Sequence, residues 1–233
     1  MQRSTLDRLL QARAAKRPAA HLRWLERSDE ALVVAGEVVI GDPLPQEILD
    51  AVRAAQRRDR GTTVATARGP LFIQVFNPPL RLFVVGAVHI AQALVPMASL
   101  AGYDVTVVDP RRAFASDARF PGVDVRQDWP DEALEELQPD ARTAVVTLTH
   151  DPKLDDPALD VALRSEAFYL AALGSKRTHA GRLERLAELG HDQATLSRIH
   201  GPAGLSIGAV SPAEIAISVL AEMTRELRQG GQG

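Results

Sequence analysis

The stretch Arg81–Asp109, RLFVVGAVHIAQALVPMASLAGYDVTVVD, decides the fold. An apolar run of Leu82, Phe83, Val84 and Val85 stops at Gly86. Ile90, Leu94, Met97 and Leu100 then recur at helical spacing until Gly102 stops the pattern. Val105, Val107 and Val108 make a second short apolar run, closed by Asp109. A parallel strand covered on both faces reads as a continuous apolar run. The spacing therefore predicts a strand–turn–helix–strand unit.

Such a unit opens a Rossmann-like doubly wound parallel sheet. Gly86 allows the tight turn, and the helix after it points its free N–H groups past the strand end. Asp109 follows Gly86 by 23 positions, close to the about 20 at which an acid receives a ribose hydroxyl pair. The turn itself, Gly86-Ala87-Val88-His89-Ile90-Ala91, departs from the dinucleotide fingerprint. Val88 stands where a second glycine lets a pyrophosphate approach the backbone, while Ala91 suits the third position. The pattern supports the sheet more firmly than it supports a dinucleotide. A structural turn without a ligand stays open.

Composition narrows the field. The chain has 233 residues, 45% of them hydrophobic, enough for a sizeable core. A net charge of −3 gives no reason to expect nucleic acid as a partner. The absence of cysteine excludes disulfides, thiolate metal sites and a sulfur carrier within this chain. Met1-Gln2-Arg3 leads into a mixed polar helix rather than a secretory signal, and no apolar run has the length of a membrane span. The expectation is a soluble, cytoplasmic protein.

Outside the opening unit, residues 1–77 read as a small α+β N-terminal domain and residues 78–233 as the sheet domain. Ser4 is a candidate cap for a first helix that ends at Pro18, with Arg8, Arg13, Lys16 and Arg17 as its solvated face. Two short strands flank Gly36, a helix follows Pro45, and a hairpin turns about Arg68-Gly69-Pro70. Asn77-Pro78-Pro79 marks the boundary. Further on, a short helix opens at Trp129-Pro130, a strand covers Ala144–Leu148, and a helix starts at Asp156-Pro157. Phe168–Leu173 is another strand. Ile199–Leu205 reads as a turn-rich loop, and Ser211, Pro212 and Glu214 form a capping box for a closing helix. The tail Gly230–Gly233 is expected to fray.

The strand ends carry the polar residues. Gly86, Asp109 with Arg111, Thr149 with His150, and Gly174 with Ser175 each follow a strand. In a doubly wound sheet those ends share one edge, where ligands bind. The helix start after Gly174-Ser175 brings Lys176 and Arg177, and His89 directly follows the first turn. Each has a plain alternative: Ser175 as a cap, Lys176 and Arg177 as surface charge, His150 as the end of a strand. A divalent metal held by His89, His150 and Asp109 or Asp151 is a competing idea, without short-range ligand pairs to support it. No Gly-x-Ser-x-Gly elbow or Walker loop is present.

Six ordered segments resemble the XdhC/CoxI family of accessory proteins for molybdenum hydroxylases. They are Val85–Leu94, Val107–Arg111, Thr149–Asp155, Ala172–Thr178, His200–Leu205 and Ile207–Ala216. The resemblance implies a maturation chaperone that holds the molybdenum cofactor, supports its sulfuration by a cysteine desulfurase and delivers it to a xanthine or carbon monoxide dehydrogenase. A molybdopterin phosphate would suit the helix start after Gly86 or the one after Gly174-Ser175, with Lys176 or Arg177 beside it and Arg111 as a further phosphate partner; Asp109 would accept from ring nitrogens, and Val88 and Thr149 complete the candidate cofactor-binding set. His89, His150 and His200 are donors to oxo or phosphate oxygens in that picture. Family members carry a Gly/Ser-rich turn with a cysteine in the N-terminal domain; residues 1–77 lack both and look shortened or divergent. Two alternatives remain: an NAD(P)-dependent oxidoreductase on the same sheet, which lacks an evident Tyr-x-x-x-Lys proton donor, and a docking subunit without a ligand. A homodimer is plausible on general grounds alone.

Overall fold

The computed structural model describes residues 1–116 and 118–229, so the expected frayed tail Gly230–Gly233 lies outside the described residues. The chain divides into two compact units, Met1–Pro78 and a second that begins at Pro79. In the first unit, helix α1 (Arg3–Ala14) precedes strands β1 (Ala19–Trp24), β2 (Glu30–Val34) and β3 (Glu37–Ile40). Helix α2 (Gln46–Arg57) and strands β4 (Thr62–Thr66) and β5 (Gly69–Phe76) follow. The strands form one sheet in the order β3-β2-β1-β5-β4, antiparallel throughout. One face packs Leu22, Trp24, Val33 and Ile73 against Ile48 and Val52 of α2. The other packs Ala19, Leu32 and Val34 against Leu9 and Ala12 of α1.

The first unit departs from the sequence reading at a strand left unassigned and at the cap of α1. Ala19–Trp24, unassigned from sequence although Ala20, Leu22 and Trp24 alternate with His21 and Arg23, is β1, the centre of this sheet. Helices cover both faces of the sheet, so Ala19 and His21 are buried as well as Ala20 and Leu22. Ser4 does not cap α1; Gln2 holds that position. Glu30 of β2 satisfies the helix start instead, accepting from the Gln2 N–H at 2.9 Å and from Thr5 Oγ1 at 2.6 Å.

The second unit holds the parallel sheet. Its first strand is β6 (Leu80–Val85), followed by α3 (His89–Leu100), β7 (Tyr103–Val108) and β8 (Asp124–Arg126). Then come α4 (Pro130–Leu137), β9 (Thr143–Thr147), α5 (Pro152–Leu163), β10 (Tyr169–Ala172) and α6 (Lys176–Glu188). The short α7 (Gln193–Leu196), β11 (Ile199–His200) and α8 (Pro212–Gln229) close the unit. The strand order is β11-β10-β9-β6-β7-β8, all parallel. This is the doubly wound arrangement expected from Arg81–Asp109. The chain leaves β6 toward β7 and β8, then returns to β9 on the other side of β6. The switch point lies between β6 and β9.

Each face of the sheet has its own layer. Leu82, Val84, Val105 and Val107 pack with Leu94, Val95 and Ala98 of α3 and with Val219 and Met223 of α8. Phe83, Val85, Val108 and Val145 pack with Leu134 of α4, Leu159 of α5, and Leu186 and Leu196 beyond. Helix α5 starts at Pro152, one turn before the expected Asp156, because Asp151 caps it by accepting the Lys153 N–H. Ile199–His200, expected as loop, pairs as an edge strand with β10. The capping box of α8 forms as expected: Glu214 accepts from the Ser211 N–H at 2.8 Å, and Ser211 Oγ accepts from the Glu214 N–H at 3.3 Å. No helix among the described residues is long and apolar enough to cross a membrane.

Candidate functional site

The candidate site is the edge where β6, β7, β9 and β10 end. Gly86 has φ +108° and stands against the loop that follows β9. A Cβ there would meet Thr149 Cγ2 at 2.6 Å, so glycine is needed both for its conformation and for the close approach. Val88 holds the N-cap position of helix α3 without a side-chain cap, and it packs against the layer beneath α3 and α8. The first-turn N–H groups of α3 therefore keep the positive end of the helix open to an acceptor. His89 is exposed, with Nδ1 3.2 Å from Gln92 Oε1.

Asp109 occupies the end of β7 and is fully buried. Its Oδ2 accepts from the Ala87 N–H at 2.8 Å and from Arg111 Nη2 at 2.7 Å. Its Oδ1 accepts from the Arg111 N–H at 3.0 Å and from Arg111 Nε at 2.8 Å. Burial alone would push this carboxyl up, but the Arg111 guanidinium and the two backbone N–H groups outweigh it and hold it below its ordinary value. The sequence placed Asp109 against a ligand; here its acceptor positions are filled from within. It ties the β6–α3 turn to the loop after β7 and holds Arg111 in place. Arg111 in turn stacks on Phe114, 4.7 Å from the ring centroid, and Arg119 lies 5.7 Å from the same ring.

Thr149 and His150 follow β9. His150 is exposed in the left-handed region at φ +62°. A second buried acid, Asp155 of α5, accepts from Thr149 Oγ1 at 2.6 Å and from the His150 N–H at 3.1 Å. Arg111 feels the charges of Asp151 and Asp155, which raise its pKa together with the larger effect of Asp109. The loops after β7 and β9 both meet the turn after β6, Asp109 at the Ala87 N–H and Thr149 against Gly86.

The loop after β10 arrives differently. Gly174 has φ +145°, and Ser175 caps α6 by accepting the Thr178 N–H at 3.1 Å. Lys176 and Arg177 are exposed on the first turn. Arg182, buried further along α6, donates from Nη2 to the Leu173 carbonyl at 3.0 Å and lies 3.5 Å from Asp155. His200 belongs to another cluster. Its ring packs on Tyr169, 4.9 Å between centroids, and Nδ1 lies 3.5 Å from Glu222 of α8. Glu222 also accepts from Tyr169 Oη at 2.7 Å and from the Gly204 N–H at 2.9 Å.

The structure therefore gathers Asp109 with Arg111 and Thr149 with His150 around the Gly86-Ala87 turn, and links Leu173, just before Gly174, through Asp155 and Arg182. It turns His200 toward α8. Sequence reading missed Asp155, Arg182, Phe114 and Arg119. Asp155 lies inside the quoted Thr149–Asp155 segment, and Arg182 shares helical spacing with His179 and Leu186; both signals mark only a face, not a partner. The metal alternative finds no support, since Asp109 is filled by Arg111 and Ala87. Among the described residues no three His, Asp or Glu side chains are placed to hold one ion.

The family model described as the XdhC Rossmann domain matches residues 82–223. The chain is 36% identical over 148 residues to a molybdenum cofactor insertion chaperone, PaoD, of Escherichia coli K12, covering 64% of this chain and 40% of that protein. It is 34% identical over 180 residues to a probable xanthine dehydrogenase subunit of Bacillus subtilis 168, covering 72% of this chain and 52% of that protein. A crystal structure described as a xanthine dehydrogenase from Bacillus halodurans superposes with a TM-score of 0.73 at 26% identity, over 99% of this chain and 68% of that one. The chain thus spans about half, or less, of the length of these two curated relatives.

Proposed function

This chain belongs to the XdhC family, and from that premise we propose that it is an accessory chaperone that holds the molybdenum cofactor at the rim of its parallel sheet. The observation that carries the reading is the convergence of loops after β6, β7 and β9, with both buried acids satisfied internally. What the rim turns outward is donors: the uncapped first turn of α3, the Arg111 guanidinium edge away from Asp109, and His89. A donor-rich rim fits the phosphate and polar ring edges of a molybdopterin. Arg111 and the α3 N–H groups would hold the phosphate, and His89 and His150 would orient ring or oxo oxygens. Lys176 and Arg177 would add positive field from the start of α6. When bound, the cofactor supplies the dithiolene-held metal that a hydroxylase needs.

The chain has no cysteine, so it offers no thiolate to carry sulfur. Sulfuration then requires a separate cysteine desulfurase, and delivery requires a client of the xanthine or carbon monoxide dehydrogenase type. The NAD(P) reading is the less favoured: Val88 replaces the second glycine, and the acid that would hold a ribose is closed by Arg111.

The test is binding. The full chain is dialysed to equilibrium against free molybdopterin and, separately, against NAD and NADP. Retention of the pterin alone is the expected result. Retention of a nicotinamide nucleotide alone overturns the reading in favour of an oxidoreductase, and retention of neither favours a docking role without a ligand.

A further inference from the structure

Asp155 is 1% exposed, and every acceptor position it has faces a donor. Its Oδ1 accepts from Thr149 Oγ1 at 2.6 Å and from the Thr149 N–H at 3.4 Å. Its Oδ2 accepts from the His150 N–H at 3.1 Å, with Arg182 Nη2 at 3.5 Å. The same Nη2 reaches the Leu173 carbonyl. Nε and Nη1 of Arg182 are buried with no hydrogen-bond partner among the described residues. Nη2 is therefore the hydrogen-bonding anchor of that guanidinium, shared between Asp155 and Leu173. On the other side, the Thr149 methyl lies against Gly86. A continuous chain of contacts, Leu173–Arg182–Asp155–Thr149–Gly86, joins the loops after β10, β9 and β6.

We propose that Asp155 is the positioning residue of the rim, setting Thr149 and His150 against the Gly86 turn and, through Arg182, fixing the start of the β10–α6 loop. This rests on the reading of the rim as a cofactor site. Asp155 touches no ligand in this account; it acts through the two residues it holds. His150 sits in a left-handed conformation that a non-glycine residue adopts at a cost, and the bond from its N–H to Asp155 offsets that cost. Arg182 also lies 3.9 Å from Asp156, itself engaged with Arg185, so Asp156 is a weaker second anchor.

The chemistry demands a carboxylate. An asparagine has one acceptor oxygen and one donor amide. With its oxygen toward His150 and Arg182, its amide faces Thr149. The Thr149 hydroxyl can turn to accept, but the Thr149 N–H loses its acceptor. The reverse orientation sets the amide against two donors.

The test compares the full-length wild type with Asp155→Asn and with Thr149→Val, which keeps the methyl against Gly86 and removes only the hydroxyl. Molybdopterin binding is measured by equilibrium dialysis, and amide hydrogen exchange is followed residue by residue. Asp155→Asn is expected to weaken binding about tenfold, the scale of one charge-assisted hydrogen bond. It should speed exchange at Thr149 and His150 while the Ala87 amide, held by Asp109, keeps its wild-type rate. Thr149→Val is expected to move both readouts in the same direction by less. Unchanged binding in Asp155→Asn overturns the proposal, as does exchange that rises uniformly along the chain. If Asp155→Asn does not fold, Thr149→Val decides, and wild-type behaviour in both readouts overturns the proposal. A wild type that retains no pterin sinks the cofactor reading instead, and the exchange pattern still judges the clamp.

Discussion

Asp109 and Arg111 close on each other two residues apart, with the guanidinium nitrogens Nε and Nη2 and the Arg111 backbone N–H all donating to one buried carboxylate. The fourth donor is the Ala87 N–H from the neighbouring strand end. A residue that a dinucleotide fold would direct at a ribose is here part of the frame, and Arg111 is the group it presents.

Replacing Asp109 should therefore act on the frame first. Asp109→Ala leaves the buried Ala87 N–H without an acceptor and releases Arg111. We expect a loss of about 1–3 kcal/mol of unfolding free energy in urea titrations, the range for hydrogen bonds to a charged group. Pterin binding should weaken as Arg111 loses its orientation. Unchanged stability would remove Asp109 from its place as the tie between the loops after β6 and β7.

Gly86 tests the contact between the first turn and the loop after β9. Gly86→Ala combines a left-handed backbone with a Cβ 2.6 Å from Thr149 Cγ2. The expected cost is about 2–4 kcal/mol, from strain together with overpacking. Adding Thr149→Ser removes that methyl and should recover about 1 kcal/mol as a positive coupling in a double-mutant cycle. Strict additivity of the two changes would mean that the loops do not press together.

In the first unit, Glu30 predicts a pH dependence. Burial alone would raise its carboxyl, but bonds from Thr5, Gln2 and His21 outweigh this and bring it to about 2 from an ordinary 4.5. A pKa depressed in the folded state stabilises the fold fully above the unfolded value. That contribution is lost as pH falls from about 4.5 toward 2. Acid unfolding followed by circular dichroism should show this loss in the wild type, and Glu30→Gln should remove it while lowering stability at neutral pH. Identical acid limbs in the two proteins would refute the assignment.

Glu222 should matter more than the tyrosine that reaches it. Tyr169→Phe deletes one donor and leaves Glu222 with the Gly204 N–H and the nearby Arg225. A loss of about 1 kcal/mol is expected. Glu222→Ala leaves both the buried Tyr169 hydroxyl and the Gly204 N–H unsatisfied, at about 2–4 kcal/mol. Equal costs in thermal or urea unfolding would show that the carboxylate is not the hub of this cluster.

The amino-acid sequence alone determined the parallel sheet and its opening turn. Continuous apolar runs at Leu82–Val85 and Val105–Val108, a helical stripe between them and an obligatory glycine at 86 are local signals, readable because strand burial, helical spacing and backbone conformation act over a few neighbouring residues. The capping box at Ser211 was legible for the same reason. Strand β1 was not: Ala20-His21-Leu22-Arg23-Trp24 alternates over only five residues, and only its pairing with β2 and β5 makes it the centre of the sheet. Edge strands β8 and β11 are too short to carry a period, and only their pairing partners make them strands. The polar rim divides in the same way. That acids, arginines and histidines follow the strand ends is written in the chain. Whether Asp109 and Asp155 meet a ligand or the protein's own donors is decided only when distant loops come together, because a carboxylate accepts from either and burial leaves room for one.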